Sequence, residues 1–251
     1  MDGTIYLDNE LFEGTTDFLS YIKRIGGKYM FLTNNSSKSV DKYIEKLKSL
    51  GIEAEKEEFF TSVDATIQFL KNKFFKKIYA LGTESFKSQL INAGYPITDE
   101  LSDDIDCLLM GFDTELTFKK LEDACILLNR GVEYIATNPD WVCPTWYGYV
   151  PDCGSVAQML FNATKRNPRF IGKPQPEMAL LAIEKSGMKK EDAVLMGDRL
   201  YTDIACGVNA GISTVFVLSG EGTLKDLEES ETKPEFVYDN IKQIYDELIR
   251  K

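Results

Sequence analysis

The chain has 251 residues, 43% of them hydrophobic, enough for one large or two modest globular domains. Its 29 basic and 40 acidic side chains leave a net charge of −11, the wrong sign for neutralising nucleic-acid phosphates or docking on an anionic membrane, so neither is expected as a partner. Histidine is absent, which removes the usual general base, the triad imidazole and the commonest zinc ligand together and leaves acid–base chemistry to carboxylates, Lys, Tyr or Cys.

The first residues, MDGTIYLDN, place an Asp2-Gly3-Thr4 turn with no hydrophobic strand in front of it. Phe18, Leu19 and Ile22 then recur at helical spacing, with Thr15 or Thr16 as N-cap and the Gly26-Gly27 pair as the stop. KYMFLTNNSS predicts a short strand buried on both faces that ends abruptly in polar residues, and SVDKYIEKLKSLG an amphipathic helix closed by Gly51. The charged run EAEKEEFF reads as a solvated connection.

A helix over SVDATIQFLKNKF leads to three strand-like runs, KKIYALGT, DCLLMGF and YIATN, separated by helical patterns at 84–93 and 117–130. From Phe170 the alternation resumes with FIG, a helix from Pro176 to Ser186, AVLMG, a helix from Thr202, STVFVLSG, EFVYDN and a last helix. Strands alternating with helices predict an α/β fold with a mainly parallel sheet covered on both faces. No Gly-, Ser- or Pro-rich linker appears, so a second domain would be inserted into the first. Cys107, Cys125, Cys143, Cys153 and Cys206 lack any C-x-x-C spacing and read as buried, reduced thiols of a cytoplasmic protein. No signal peptide and no apolar run able to span a bilayer is present.

Polar groups stand at the predicted strand ends. Asp198 follows the apolar run AVLMG, and Asp203 comes at the start of the next helix, where it could also serve as an N-cap. Thr33 and Asn34 end another strand and could hydrogen-bond an anion or cap the following helix. Lys173 sits between Gly172 and Pro174, either facing a ligand or facing solvent. Carboxylates, a hydroxyl and a lysine together suit a hard divalent cation holding a phosphate, and oxygen ligands without His or organised Cys point to Mg²⁺.

The ordered set DGT, LTNN, GKP and GDRLYTD, with IATNPD between, resembles the haloacid dehalogenase superfamily of phosphohydrolases, in its NagD-like, 4-nitrophenylphosphatase-like branch. The resemblance runs over the whole chain. It implies a Rossmann-like core, residues 1–73 and 168–251, with an α/β cap inserted over about 74–167. It further implies Mg²⁺-dependent hydrolysis of a small phosphorylated metabolite, with Asp2 as general acid–base and, through its backbone carbonyl, a metal ligand. Thr33, Asn34 and Lys173 would bind phosphate, Lys173 also neutralising the nucleophile; Asp198 would bind the metal and Asp203 support its water ligands.

The family's first motif reads D-x-D-G-T, and Met1 occupies the x position. The nucleophilic aspartate and the core strand carrying it are therefore expected just before Met1, absent through a late start or a real loss, and the chain without them is expected to be inactive. The alternative is a non-catalytic phosphate-ligand binder of the same fold. A phospho-accepting receiver domain fits poorly, because the chain is too long and Lys173 precedes the late Asp pair; a dinucleotide-binding enzyme lacks its G-x-G-x-x-G. Substrate choice is expected in the cap loop, from Asn138, Asp140, Asp152 and Ser155 with Trp141, Trp146 and Tyr147. Self-association into a homo-oligomer is left open.

Overall fold

The computed structural model describes residues 1–145 and 147–250; Trp146, one of the aromatic residues of the expected cap loop, lies outside the described residues. The chain is mixed α/β and forms two compact units. One contains Met1–Leu32, Asp41–Phe60 and the chain from Lys173 onward; the other contains Thr33–Val40 and Thr61–Gly172.

In the first unit a parallel sheet is built from Val194–Gly197, Ser213–Val217 and Phe236–Tyr238 in that order, with Val194 opposite Ser213 and Val215 opposite Phe236. Val215 and Val217 pack with Ile244 of the helix Ile241–Leu248, and Phe216 on the opposite face packs with Leu200 and Ile204. Period-two alternation thus buries both faces of the strand, as expected for a parallel sheet between helices.

The helix Thr15–Arg24 carries Asp17 in its first turn and Lys23 and Arg24 in its last, matching the helix dipole. Its N-cap is Gly14, not a threonine, because the Thr15 hydroxyl instead donates to the Ile5 carbonyl at 3.0 Å. Gly26 takes a φ of +80°, and Gly27 N–H closes back on the Ile22 carbonyl at 2.9 Å, the hydrogen-bonded stop that a left-handed residue permits.

The run read as a solvated connection behaves differently. Lys56–Glu58 forms one tight turn, and Phe59–Thr61 is a strand paired with Phe31–Thr33, with Phe59 fully buried and Phe60 nearly so. Charge dominates the composition of this run, but the two aromatic residues at its end decide its fate: each removes a large apolar area from water.

The second unit holds a five-stranded parallel sheet, ordered Arg169–Phe170, Glu133–Ala136, Cys107–Met110, Ile78–Leu81, Ile97–Thr98. Helices Ser62–Leu70, Glu84–Asn92, Phe118–Arg130 and Cys153–Thr164 accompany it, with an antiparallel hairpin of Val142–Thr145 and Gly148–Pro151. Leu108, Met110, Tyr134 and Ala136 meet Ala124, Leu127, Val156 and Leu160 in its core. The helix starts follow side-chain chemistry: Thr61 and Asp64 form a reciprocal capping box, and Thr83, Thr117 and Asp152 each accept a backbone N–H. None of the five cysteines forms a disulfide; Cys107, Cys153 and Cys206 are buried, while Cys125 and Cys143 are half-buried. No helix among the described residues is long and apolar enough to cross a membrane.

Candidate active site

In the first unit, Asp198 directly follows the strand Val194–Gly197, and a wide turn over Leu200–Ile204, closed by Ile204 N–H on the Arg199 carbonyl, brings Asp203 back over the strand end. Such one-turn expansions of a helix recur at functional sites. The return is close: a Cβ on Gly197 would lie 2.2 Å from the Asp203 Cβ, so any larger residue there would push Asp203 away. Both carboxylates are buried.

Lys173 is buried as well and donates to Asp203 Oδ1 at 2.5 Å. The solvent-facing alternative for this lysine is thereby removed. Arg199 N–H donates to Asp203 Oδ2 at 3.2 Å. Burial by itself would raise the Asp203 carboxyl, but the Lys173 ammonium outweighs it and holds the group below the usual carboxylate range. Asp198 moves the other way: burial first, then the Asp203 charge, push it above that range.

Asp198 is held by groups from two further segments. Thr4 Oγ1 donates to its Oδ1 at 3.2 Å, and Glu221 N–H donates to its Oδ2 at 2.9 Å. The Asp2-Gly3-Thr4 turn lies against this carboxylate: a Cβ on Gly3 would fall 2.3 Å from Asp198 Oδ2, and Gly3 already needs its φ of +77°. Gly220 approaches equally closely, at 2.1 Å for a built Cβ, and Ser219 Oγ fastens the two loops by donating to the Gly3 carbonyl at 2.8 Å. Asp2 itself bridges Tyr6 through the backbone. Thr4 was read only as part of the opening turn, with no role of its own, and Gly220 and Glu221 were not singled out from the sequence; two glycines two residues apart in SGEG, straight after a buried strand, are the signal that could have found that loop.

The second unit holds the remaining candidates. Thr33 Oγ1 accepts from Asn35 N–H at 3.2 Å, and Asn34 is buried, its amide donating to Asp140 Oδ1 at 2.8 Å. Asn138 and Asp140 are buried polar residues rather than exposed loop groups. Asp152 caps its own helix by accepting from Cys153 N–H at 2.5 Å, and Ser155 Oγ donates to the Trp141 carbonyl at 2.5 Å. Trp141 and Tyr147 are exposed.

Acidic and basic groups gathered beyond the carboxyl end of a parallel strand mark the place where an α/β fold binds its ligand, here one suited to an anion or a metal ion, and the family is recognisable. The haloacid dehalogenase-like hydrolase profile matches residues 1–96, and a HAD-hydrolase-like profile matches residues 170–244. An acid sugar phosphatase from Staphylococcus haemolyticus is 31% identical over 249 residues, spanning 99% of this chain and 94% of its own length. The chain belongs to the haloacid dehalogenase-like hydrolases. Its branch is the NagD-like, 4-nitrophenylphosphatase-like one. The solved 4-nitrophenylphosphatase from Thermotoga maritima is 40% identical with a TM-score of 0.91, covering 98% of this chain and 94% of that one. A glycerol phosphate phosphatase from Mycobacterium tuberculosis, solved in complex with magnesium, is 27% identical with a TM-score of 0.90, covering 97% and 74%.

Proposed function

We propose that the protein is a Mg²⁺-dependent phosphomonoester hydrolase acting on a small phosphorylated metabolite in the cytoplasm. The observation that carries this reading is the buried Lys173–Asp203 ion pair beside the buried Asp198 at one strand end. The relatives' phosphatase activities and the magnesium bound to one of them support it.

The donor chemistry fits magnesium. Among the described residues no three His, Cys, Asp or Glu side chains gather to hold an ion by themselves, and Mg²⁺ is usually bound by one or two carboxylates with waters and substrate phosphate rather than by a protein cage. Asp198 and the Asp2 carbonyl would hold it, with Asp203 orienting its waters; a cation there would offset the penalty that burial and Asp203 place on the Asp198 charge. When bound, the ion supplies Lewis-acid neutralisation of phosphate oxygens.

Lys173 would neutralise phosphate charge, and Thr33 and Asn34 would hydrogen-bond it. The attacking carboxylate would be the first aspartate of the family motif D-x-D-G-T, in which Asp2 stands as the second. Its attack on phosphorus forms an aspartyl-phosphate while Asp2 protonates the departing alkoxide; Asp2 then takes a proton from the water that cleaves the acyl-phosphate. Residues 74–167 would form the inserted cap, between core segments 1–73 and 168–251, and the exposed part of its loop, between Trp141 and Ser155, would govern substrate choice.

The test measures phosphate release from 4-nitrophenyl phosphate and a panel of sugar and glycerol phosphates, with Mg²⁺ or EDTA, by residues 1–251 alone and preceded by the family's aspartate. Mg²⁺-dependent turnover by the extended chain supports the reading. Binding of orthophosphate without turnover in either chain favours the non-catalytic binder, and neither binding nor turnover refutes both.

A further inference from the structure

The residues that the cap loop contributes at Asn138 and Asp140 are turned inward. Asn138 is fully buried and Asp140 is 6% exposed, which is poor placement for groups that read a varying substrate and good placement for groups that hold a neighbouring segment. What they hold is the loop after Thr33. Asp140 Oδ1 accepts from the Asn34 side-chain amide at 2.8 Å, and Asn138 Nδ2 donates to the Asn34 backbone carbonyl at 2.8 Å. Asn138 Oδ1 in turn accepts from Asp140 N–H at 3.0 Å, so the two residues brace each other.

The chemistry of the partners sets the orientation. A carboxylate only accepts, so the NH₂ end of the Asn34 amide must face Asp140, and its carbonyl end then faces Gly172, where a built Cβ would come within 2.6 Å of Oδ1. A second anchor lies two residues on: Ser36 Oγ lies 3.0 Å from Thr137 Oγ1 and accepts from Phe112 N–H at 2.7 Å. The loop is therefore tied to the cap segment through both side chain and backbone, over more than a hundred residues of intervening chain.

We infer that Asp140 and Asn138 are positioning residues for the phosphate-binding Asn34 loop, and that substrate discrimination lies elsewhere. This rests on the phosphatase reading above. Because every phosphomonoester presents the same phosphoryl group to Asn34, misplacing the loop lowers turnover of all substrates together, whereas a residue that reads the leaving group changes their ranking.

The experiment uses residues 1–251 preceded by the family's aspartate, as in the test above, and the Asp140→Ala and Asp140→Asn variants of that protein. It measures kcat/KM for 4-nitrophenyl phosphate, glycerol phosphate and a hexose phosphate, inhibition by inorganic phosphate, and backbone hydrogen exchange of residues 33–37. Asp140→Ala is expected to lower kcat/KM for every ester by on the order of 10–100-fold. It should weaken phosphate inhibition and speed exchange across 33–37. Asp140→Asn, which keeps an acceptor oxygen, should recover part of each loss. Unchanged exchange at 33–37 in Asp140→Ala overturns the inference whatever the activity, and so does a changed substrate ranking. A wild-type protein that neither hydrolyses an ester nor binds phosphate refutes the phosphatase reading, and the inference with it; that result is read on the wild type alone and is separable from the other two.

Discussion

Replacing Lys173 with Met isolates the charge at the strand end, because Met keeps a long flexible apolar stem and removes the ammonium. Lys173 and Asp203 are each 7% exposed, so the variant leaves a carboxylate buried without its cation. Removing one partner of a buried pair costs about 3–5 kcal/mol. At about 2–4 °C per kcal/mol for a chain of this size, the melting temperature should fall by roughly 6–20 °C. The pH dependence identifies the cause. In the wild type Asp203 is held below the usual carboxylate range, so its contribution is present above an unfolded pKa of about 3.9 and lost as pH falls through the folded-state value. In the variant burial acts without Lys173, the folded-state pKa rises above the unfolded one, and stability is instead lost as pH rises through it. The gap between the two proteins is therefore widest near neutrality and narrows toward about pH 4. Thermal unfolding followed by circular dichroism in EDTA across that range measures it. A loss under about 2 °C at neutral pH, or one that does not shrink in acid, refutes the reasoning.

Thr4→Val keeps the shape of the side chain and removes the hydroxyl that donates to Asp198; Mg²⁺ affinity by isothermal titration should fall about 10–100-fold, as for other groups that orient a metal ligand. Gly220→Ala drives a methyl group to within 2.1 Å of the Asp198 carboxylate, and should cost about 1–3 kcal/mol in urea unfolding together with a measurable loss of Mg²⁺ binding; unchanged binding would show that this loop does not shape the carboxylate. Phe59→Ala, at a fully buried position in the run that composition marks as charged and solvated, should cost about 3–5 kcal/mol in the same unfolding assay, whereas a solvated connection would lose almost nothing.

Much of the architecture was legible locally. Apolar periodicity located Ile78–Leu81, Cys107–Met110, Val194–Gly197 and Ser213–Val217 as strands, and Gly26 and Gly51 marked helix ends where the backbone indeed turns left-handed. The strands' carboxyl ends are where a parallel sheet presents ligand-binding groups, so Asp198 could be recognised as a site candidate from its place after AVLMG alone. These readings succeed because backbone preference and side-chain period act over neighbouring residues, and a single stretch carries all the information needed.

Partnership was decided only by the tertiary structure. Nothing in GKPQP announces that Lys173 meets Asp203 thirty residues later, in TNPD that Asp140 meets Asn34 across 106 residues, or in LSGEG that Gly220 lies against Asp198. Phe59 was misjudged for the same reason: the rings it packs against, Phe31 and Tyr43, lie elsewhere in the chain. A polar side chain has the same sequence signature whether it caps its own helix, as Asp152 does, or orients a distant loop, as Asp140 does. Its role follows from which donor the fold brings within hydrogen-bonding distance. A buried charge or amide must find that partner to offset its lost hydration, and the partner comes from wherever the packed chain returns.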